Sequence, residues 1–138
     1  MNDSNALTAG IDHVGLTVRD VELSRAFFVQ CLGWRVVGGN PGYPAVFVSD
    51  GTSVLTLWQV DGNDGHQPFD RRKNIGLHHV ALKVTSEEAL HALFARVAGW
   101  PGVEVEFPPE AVGKLGNMHG FVREPGGTRV EFRYNVPA

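Results

Sequence analysis

Two short segments of the chain alternate apolar residues with other residues. In residues 11–18, IDHVGLTV, the apolar positions are Val14, Leu16 and Val18, and residues 77–84, LHHVALKV, repeat the pattern. Because successive side chains of a strand point to opposite faces, strict alternation predicts a strand with one buried face. Each segment is therefore predicted to form one strand of a sheet.

The two segments belong to a longer internal repeat. At an offset of 66 residues, nine of the 22 positions from 13 to 34 are identical to their counterparts, without a gap. The identities run from His13 and His79 to the Gly-Trp pairs at 33–34 and 99–100. A repeat of this length indicates two copies of one supersecondary unit.

Each copy predicts one helix and three further strands. A helical apolar face follows Asp20 in the first copy and Thr85-Ser86 in the second, and Gly33 or Gly99 ends it. The shorter strands are predicted at 34–39, 44–49 and 53–60, and at 102–107, 118–124 and 128–135. Each copy is thus a βαβββ unit.

These units define the predicted fold class, α+β. We expect one domain with a first module at residues 10–60, a polar linker at 61–76 and a second module at 77–135. A helix covers one face of each sheet and leaves the other face bare. Two such modules are expected to form a cupped, partly open mixed β-sheet barrel with the helices outside.

Composition excludes several classes of function. A length of 138 residues fits one compact domain, and a net charge of −3 without clustered Lys and Arg argues against a nucleic-acid partner. No apolar run approaches the roughly 20 residues that span a bilayer, and the start, MNDSNALTAG, lacks a signal-peptide pattern. The single Cys31 permits no internal disulfide and is expected in the core. We therefore expect a cytoplasmic protein with no membrane partner.

Three polar side chains are predicted on the bare faces. His13 and His79 have the strand parity opposite to the apolar positions, and Glu131 alternates with Val130 and Phe132 in TRVEFRY. Burying an unpaired carboxylate is costly, so Glu131 needs a partner. Two histidines and one carboxylate form a three-ligand metal site with open positions, as in non-haem Fe(II) enzymes. The alternative is that the three side chains pair only with each other, as polar core residues.

The repeat and the closing segment EPGGTRVEF (124–132) together resemble the vicinal oxygen chelate superfamily. This group includes glyoxalase I, extradiol dioxygenases, methylmalonyl-CoA epimerases, fosfomycin-resistance transferases and bleomycin-resistance proteins. The resemblance covers about residues 10 to 135 and implies a divalent metal (Fe, Mn, Ni or Zn) held by His13, His79 and Glu131. Such a metal would chelate vicinal oxygens of a small-molecule substrate. The resemblance also implies a homodimer in which the first module of one chain faces the second module of its mate.

The sequence departs from the family at other site positions. Matching residues 55–57 to 130–132 puts Thr56 at the fourth ligand position, whereas aligning the Gly-Thr pairs puts Leu55 there. Neither is the Glu or Gln usual in glyoxalase I and the epimerases, which counts against both reactions. Gln59 has the strand parity of Leu55 and Leu57, so we expect it on the face opposite to the metal ligands.

A second departure concerns the extradiol dioxygenases, whose signature tyrosine is replaced by Phe121. His119 lies nearby and is a candidate catalytic acid or base, while His78, opposite in parity to His79, is expected not to be a ligand. Thr56, Trp58 and Phe121 are the expected substrate-pocket residues.

The expected function is that of a small metal-dependent enzyme of the glyoxalase or dioxygenase type. Isomerisation, dioxygenation and group transfer all stay open. The alternative is a non-catalytic protein of the bleomycin-resistance type, which sequesters a small molecule in a cleft lined by Trp58 and Phe121. Metal binding distinguishes the two, because a sequestering protein has no need for His13, His79 and Glu131 to converge.

Overall fold

The computed structural model describes residues 5–62 and 65–138 of the chain. It contains two four-stranded mixed sheets and two helices in a cupped α+β fold without a closed barrel, which confirms the predicted fold class. The first half contains β1 (Val14–Val18), α1 (Val21–Ala26), a π-helical turn (Phe27–Cys31), β2 (Arg35–Asn40), β3 (Ala45–Ser49) and β4 (Val54–Gln59). The second half contains β5 (Val80–Lys83), α2 (Glu87–Ala98), β6 (Glu104–Val112), β7 (Asn117–Arg123) and β8 (Arg129–Tyr134). Residues 63–64 of the predicted linker lie outside the described residues.

The two sheets have the same topology. The strand order is β1-β4-β3-β2 in the first sheet and β5-β8-β7-β6 in the second, and each begins with a parallel pair. In the first parallel pair Gly15 lies opposite Thr56, and in the second Ala81 lies opposite Glu131. Since Gly15 and Ala81 are counterparts in the sequence repeat, the register makes Thr56, and not Leu55, the counterpart of Glu131.

The first helix differs from the expected regular α-helix. Asp20 caps it as predicted, by accepting hydrogen bonds from the backbone N of Glu22 and Leu23. From Phe27 onward the chain adopts a π-helical turn, in which Leu32 N donates to Phe27 O at 3.0 Å. The wider turn places the consecutive side chains Phe27 and Phe28 both in the core, where their rings pack edge to face 5.2 Å apart.

Strand β6 is longer than predicted, because it continues through Pro108 and Pro109 to Val112. Proline lacks a backbone donor, but β6 is an edge strand that pairs only with β7. The pairing shifts register between Val105 and Phe107 and again between Phe107 and Glu110. These irregularities accommodate the two prolines.

Both helices pack on one hydrophobic cluster, which joins the two halves of the chain. Its buried members include Phe28 and Leu57 from the first half and Leu90 and Phe132 from the second. Cys31 is buried, in agreement with its predicted place in the core. The opposite faces of the sheets carry no helix and form the inside of the cup.

A buried carboxylate also connects the two halves. Glu124, at the β7–β8 turn, accepts hydrogen bonds from Ser24 Oγ of α1 at 2.8 Å, Gly126 N at 2.7 Å and Thr128 N at 2.9 Å. A Cβ on Gly126 would lie 1.9 Å from Ser24 Oγ, so only glycine fits. Arg19 N donates to Gly126 O at 2.8 Å, which extends the junction to the end of β1.

Among the described residues, no helix is long and apolar enough to cross a membrane.

We predict that Glu124→Ala lowers the free energy of unfolding by about 3 kcal/mol, because three buried donors lose their acceptor. The matched control is Glu22→Ala on α1, whose side chain is 71% exposed and which should cost less than about 0.5 kcal/mol. Urea unfolding of both variants checks this. Equal effects in the two variants would contradict the proposed importance of the junction.

Candidate functional site

The second sheet carries a group of two histidines and one carboxylate, in close contact with one another, on its bare face. Glu131 Oε1 lies 3.0 Å from His79 Nε2, and Glu131 Oε2 lies 2.8 Å from His119 Nδ1. Strand periodicity explains the placement, since Glu131 on β8 alternates with Val130 and Phe132, which face the helices. The Glu131 side chain is only 6% exposed, so its two oxygens are held by fixed partners rather than by bulk water.

Glu131 is kept in its charged form by its neighbours. Burial alone would raise the pKa of Glu131, but the hydrogen bond and charge of His119, the charge of His79 and a hydrogen bond from Arg133 together lower it. An ionised carboxylate beside an imidazole nitrogen is a suitable donor pair for a divalent metal.

A second ionic cluster adjoins this group. Arg129 Nε donates to both oxygens of Glu106, at 2.7 and 2.9 Å, and the guanidinium carbon lies 4.2 Å from the centre of the Phe121 ring. Arg129 is buried, and Phe121 in turn packs edge to face against His79 with ring centres 5.0 Å apart. The cluster therefore fixes the aromatic wall behind His79.

The sequence did not predict the role of Glu106. The register shift between Val105 and Phe107 brings Glu106 and Phe107 to the same side of β6, where one pairs with Arg129 and the other packs on Phe121. A bulge breaks the alternation on which the strand interpretation depends. The available signal was Arg129 itself, because a buried guanidinium requires a carboxylate partner.

The bare face of the first sheet is aromatic. Trp58 Nε1 donates to Thr56 Oγ1 at 2.8 Å, and the Trp58 ring packs against Tyr43 and Phe47 at centre distances of 4.9 and 5.8 Å. Thr56 and Trp58 therefore share a face, as their parity indicates.

Gln59 lies on the other face, as expected. Its Oε1 accepts from Val21 N at 2.8 Å and its Nε2 donates to Arg19 O at 2.9 Å. These contacts hold the beginning of α1 and leave Gln59 no role among the ligands.

His13 stands apart from the group on the second sheet. Its side chain is 52% exposed, and its Nδ1 lies 2.7 Å from Asp12 Oδ2. In the described ranges 5–62 and 65–138, no three His, Cys, Asp or Glu side chains are placed to hold one metal ion. One chain thus brings together His79, Glu131 and His119 but not the predicted set of His13, His79 and Glu131. Of the predicted set, one chain brings together His79 and Glu131, and an imidazole nitrogen and an ionised carboxylate are donor types that a divalent metal accepts.

A cleft of about 430 Å³ lies elsewhere. It is bordered by the end of β1, the linker and the β7–β8 turn, with Arg19, His66, Phe69 and Arg123 among its walls. None of the three predicted metal ligands lines it. The cup, and not this cleft, is where the candidate chemistry lies.

The Arg129–Glu106 pair should make stability depend on pH. Burial raises the pKa of Glu106, but the hydrogen bond and charge of Arg129, with Arg71 and Arg123, lower it overall from its ordinary value of 4.5. Because the folded pKa is lowered, the stabilisation is complete above the unfolded pKa and is lost as the pH falls through the folded pKa.

We therefore predict that Glu106→Gln costs about 1 to 2 kcal/mol at neutral pH, and that the difference from wild type shrinks as the pH falls below about 4.5. Glu104→Gln, at an exposed position on the same strand, is the control and should show little effect at any pH. Denaturant unfolding across this pH range makes the measurement. A Glu106→Gln difference that stays constant with pH would show that the ion pair is not its source.

Comparisons with known proteins agree with the fold. A family model described as Glyoxalase/Bleomycin resistance protein/Dioxygenase superfamily matches residues 10–132. The mitochondrial methylmalonyl-CoA epimerase of Bos taurus is 34% identical over 82 residues, covering 54% of this chain and 46% of the epimerase. The chain therefore spans about half the length of this relative.

Solved structures show the same architecture. A glyoxylase/bleomycin resistance protein/dioxygenase domain from Frankia sp. EAN1pec has a TM-score of 0.79 at 24% identity, covering 95% of each chain. A lactoylglutathione lyase from Agrobacterium tumefaciens has a TM-score of 0.69 at 21% identity, covering 94% of this chain and 96% of the lyase.

Proposed function

The chain belongs to the glyoxalase/bleomycin resistance protein/dioxygenase superfamily, and on this premise we propose that it is a metal-dependent enzyme acting on a small molecule with vicinal oxygens. The observation that carries the proposal is the approach of His79 Nε2 to Glu131 Oε1 at 3.0 Å on the bare face of the second sheet. An imidazole and a buried carboxylate at this distance are two ligands of a divalent ion. In this proposal His13 supplies the third.

The third ligand comes from a second copy of the chain. His13 is half exposed and is not grouped with His79 and Glu131 within one chain. A dimer in which the first sheet of one copy faces the second sheet of the other brings His13 to the pair and closes two equivalent cups. Exposed apolar side chains on and after β2 support such burial, with Val36, Val37 and Tyr43 each more than 40% exposed.

The other side chains of the cup have distinct roles in this proposal. His119 holds Glu131 Oε2, so that Oε1 keeps its direction toward His79. Trp58 and Phe121 form the apolar walls that bind the substrate and exclude water. A bound metal ion would supply Lewis acidity toward the substrate oxygens.

Thr56 narrows the reaction class. Its register makes it the counterpart of Glu131, yet its hydroxyl already accepts from Trp58 Nε1. A threonine here leaves the fourth position to water or substrate and offers no carboxylate for proton transfer. Among isomerase, dioxygenase and transferase chemistry, this favours a three-ligand dioxygenase-like or transferase-like site. His119 is the candidate acid or base.

A second function, non-catalytic sequestration of a small molecule, is favoured by one observation. The first sheet lines its half of the cup with Trp58, Tyr43 and Phe47, an aromatic surface suited to an apolar or aromatic ligand. In that case the polar group on the second sheet is structural, and no metal is required.

We predict that the purified wild-type protein binds one equivalent of Fe, Mn, Ni or Zn and that His79→Ala and Glu131→Ala abolish this binding. Mass spectrometry of untagged protein makes the measurement. Thr56→Ala is the control and should retain the metal. If wild type stays metal-free even after soaking with divalent ions, the enzyme proposal fails, and quenching of tryptophan fluorescence by small aromatic compounds tests the sequestering function.

We also predict that mixing two inactive variants restores metal sites if each site is shared. After joint refolding of His13→Ala with Glu131→Ala, half of the dimers are mixed and one of their two sites is intact, so about a quarter of all sites recover. His79→Ala mixed with Glu131→Ala is the control, because both changes lie in the same half-site and every combination stays broken. Recovery in neither mixture, with dimers confirmed by light scattering, would assign all ligands to one chain.

A further inference from the structure

His78 immediately precedes the candidate ligand His79, and the two rings are in contact. His78 Nδ1 lies 2.8 Å from His79 Nδ1, and the ring planes meet at 70°. The sequence-based expectation that His78 is not a ligand used strand alternation. Strand β5 begins only at Val80, so alternation does not govern these two residues.

The direction of the hydrogen bond between the two rings follows from a third residue. Arg129 NH1 lies 3.3 Å from His78 Nδ1, and a guanidinium can only donate. Arg129 is itself fixed by Glu106 and by the Phe121 ring, so it presents a permanent positive charge to this nitrogen. His78 Nδ1 is therefore an acceptor without a proton.

The short contact between the rings then requires that His79 donate. With its proton on Nδ1 directed at His78, the His79 ring has its other nitrogen, Nε2, 3.0 Å from Glu131 Oε1 but not in hydrogen-bond geometry with it, so both atoms can turn to one shared ion.

The first half of the chain shows the same arrangement with a different residue. Asp12 immediately precedes His13, and its Oδ2 lies 2.7 Å from His13 Nδ1. A carboxylate can only accept, so His13 also donates from Nδ1. At both repeat positions the preceding residue contacts the same ring nitrogen, Nδ1, and not Nε2.

We propose that His78 is a positioning residue that holds His79 with its proton on Nδ1, so that Nε2 is the nitrogen available to a metal. Ligand histidines in metal sites are generally oriented in this way, through a hydrogen bond from the nitrogen that does not bind the metal. The proposal deepens the proposed function and rests on it for the metal, whereas the hydrogen bond itself exists without one.

Nuclear magnetic resonance of the metal-free protein tests the hydrogen bond directly. In protein labelled with ¹⁵N-histidine, long-range ¹H–¹⁵N spectra at alkaline pH distinguish a neutral ring protonated on Nδ1 from one protonated on Nε2. The His79 signals are identified by their loss in His79→Gln. We expect Nδ1 protonation in wild type and in His78→Gln, whose amide oxygen replaces the acceptor, and a shift toward Nε2 protonation in His78→Phe.

Titration with Zn²⁺ provides the second readout. His78→Phe should weaken zinc binding by about ten- to a hundredfold, and His78→Gln by no more than a few fold. His91→Phe, at a half-exposed histidine on α2, is the matched control and should leave affinity unchanged.

The two readouts separate the two proposals. An Nε2-protonated His79 in wild type, or an unchanged ring in His78→Phe, overturns the role of His78 whatever the zinc result. If wild type binds no zinc while His78→Phe alters the His79 ring as expected, the positioning hydrogen bond stands and the metal-dependent function fails.

Discussion

The relative position of the two halves depends on one buried carboxylate. Glu124 lies in the turn that leads into β8, the strand that carries Glu131, and it binds Ser24 on the helix of the other half. Gly126 beside it cannot be replaced without a steric clash, since an added Cβ would lie 1.9 Å from Ser24 Oγ. The same turn therefore ties the beginning of the strand that bears the candidate ligand to the first helix of the other half.

Much of the fold could be predicted because the two halves of the sequence repeat the same pattern of apolar and polar positions. Alternation in 14–18 and 80–84, repeated at one offset, predicts the strands and the helices between them. The strand register then shows that the halves are equivalent down to the pair Thr56 and Glu131. Features that break periodicity were not predictable, namely the π-helical turn at Phe27–Cys31 and the bulges of β6.

The same distinction between regular and irregular segments decides which residues of the candidate site could be predicted. Parity alone indicated the bare face for Glu131 and Thr56, because both lie inside regular strands. Parity did not indicate the contact between the His78 and His79 rings, because His78 precedes its strand, or the pairing of Glu106 with Arg129, because Glu106 lies at a bulge. In the proposed dimer, His13 meets His79 and Glu131 only through a second chain, and one sequence contains no direct record of how two copies associate.

The two prolines of β6 have a further consequence for the sheet that carries the candidate site. An edge strand presents unpaired backbone donors and acceptors to any passing extended chain, and such edges are common starting points for aggregation. Pro108 and Pro109 remove two consecutive backbone donors from β6, and the adjacent register shifts make its edge irregular. The second sheet is thereby protected from growing by one more strand. The outer edge of the first sheet, β2, has no proline and is exposed along its whole length, so misassembly of this protein should begin there.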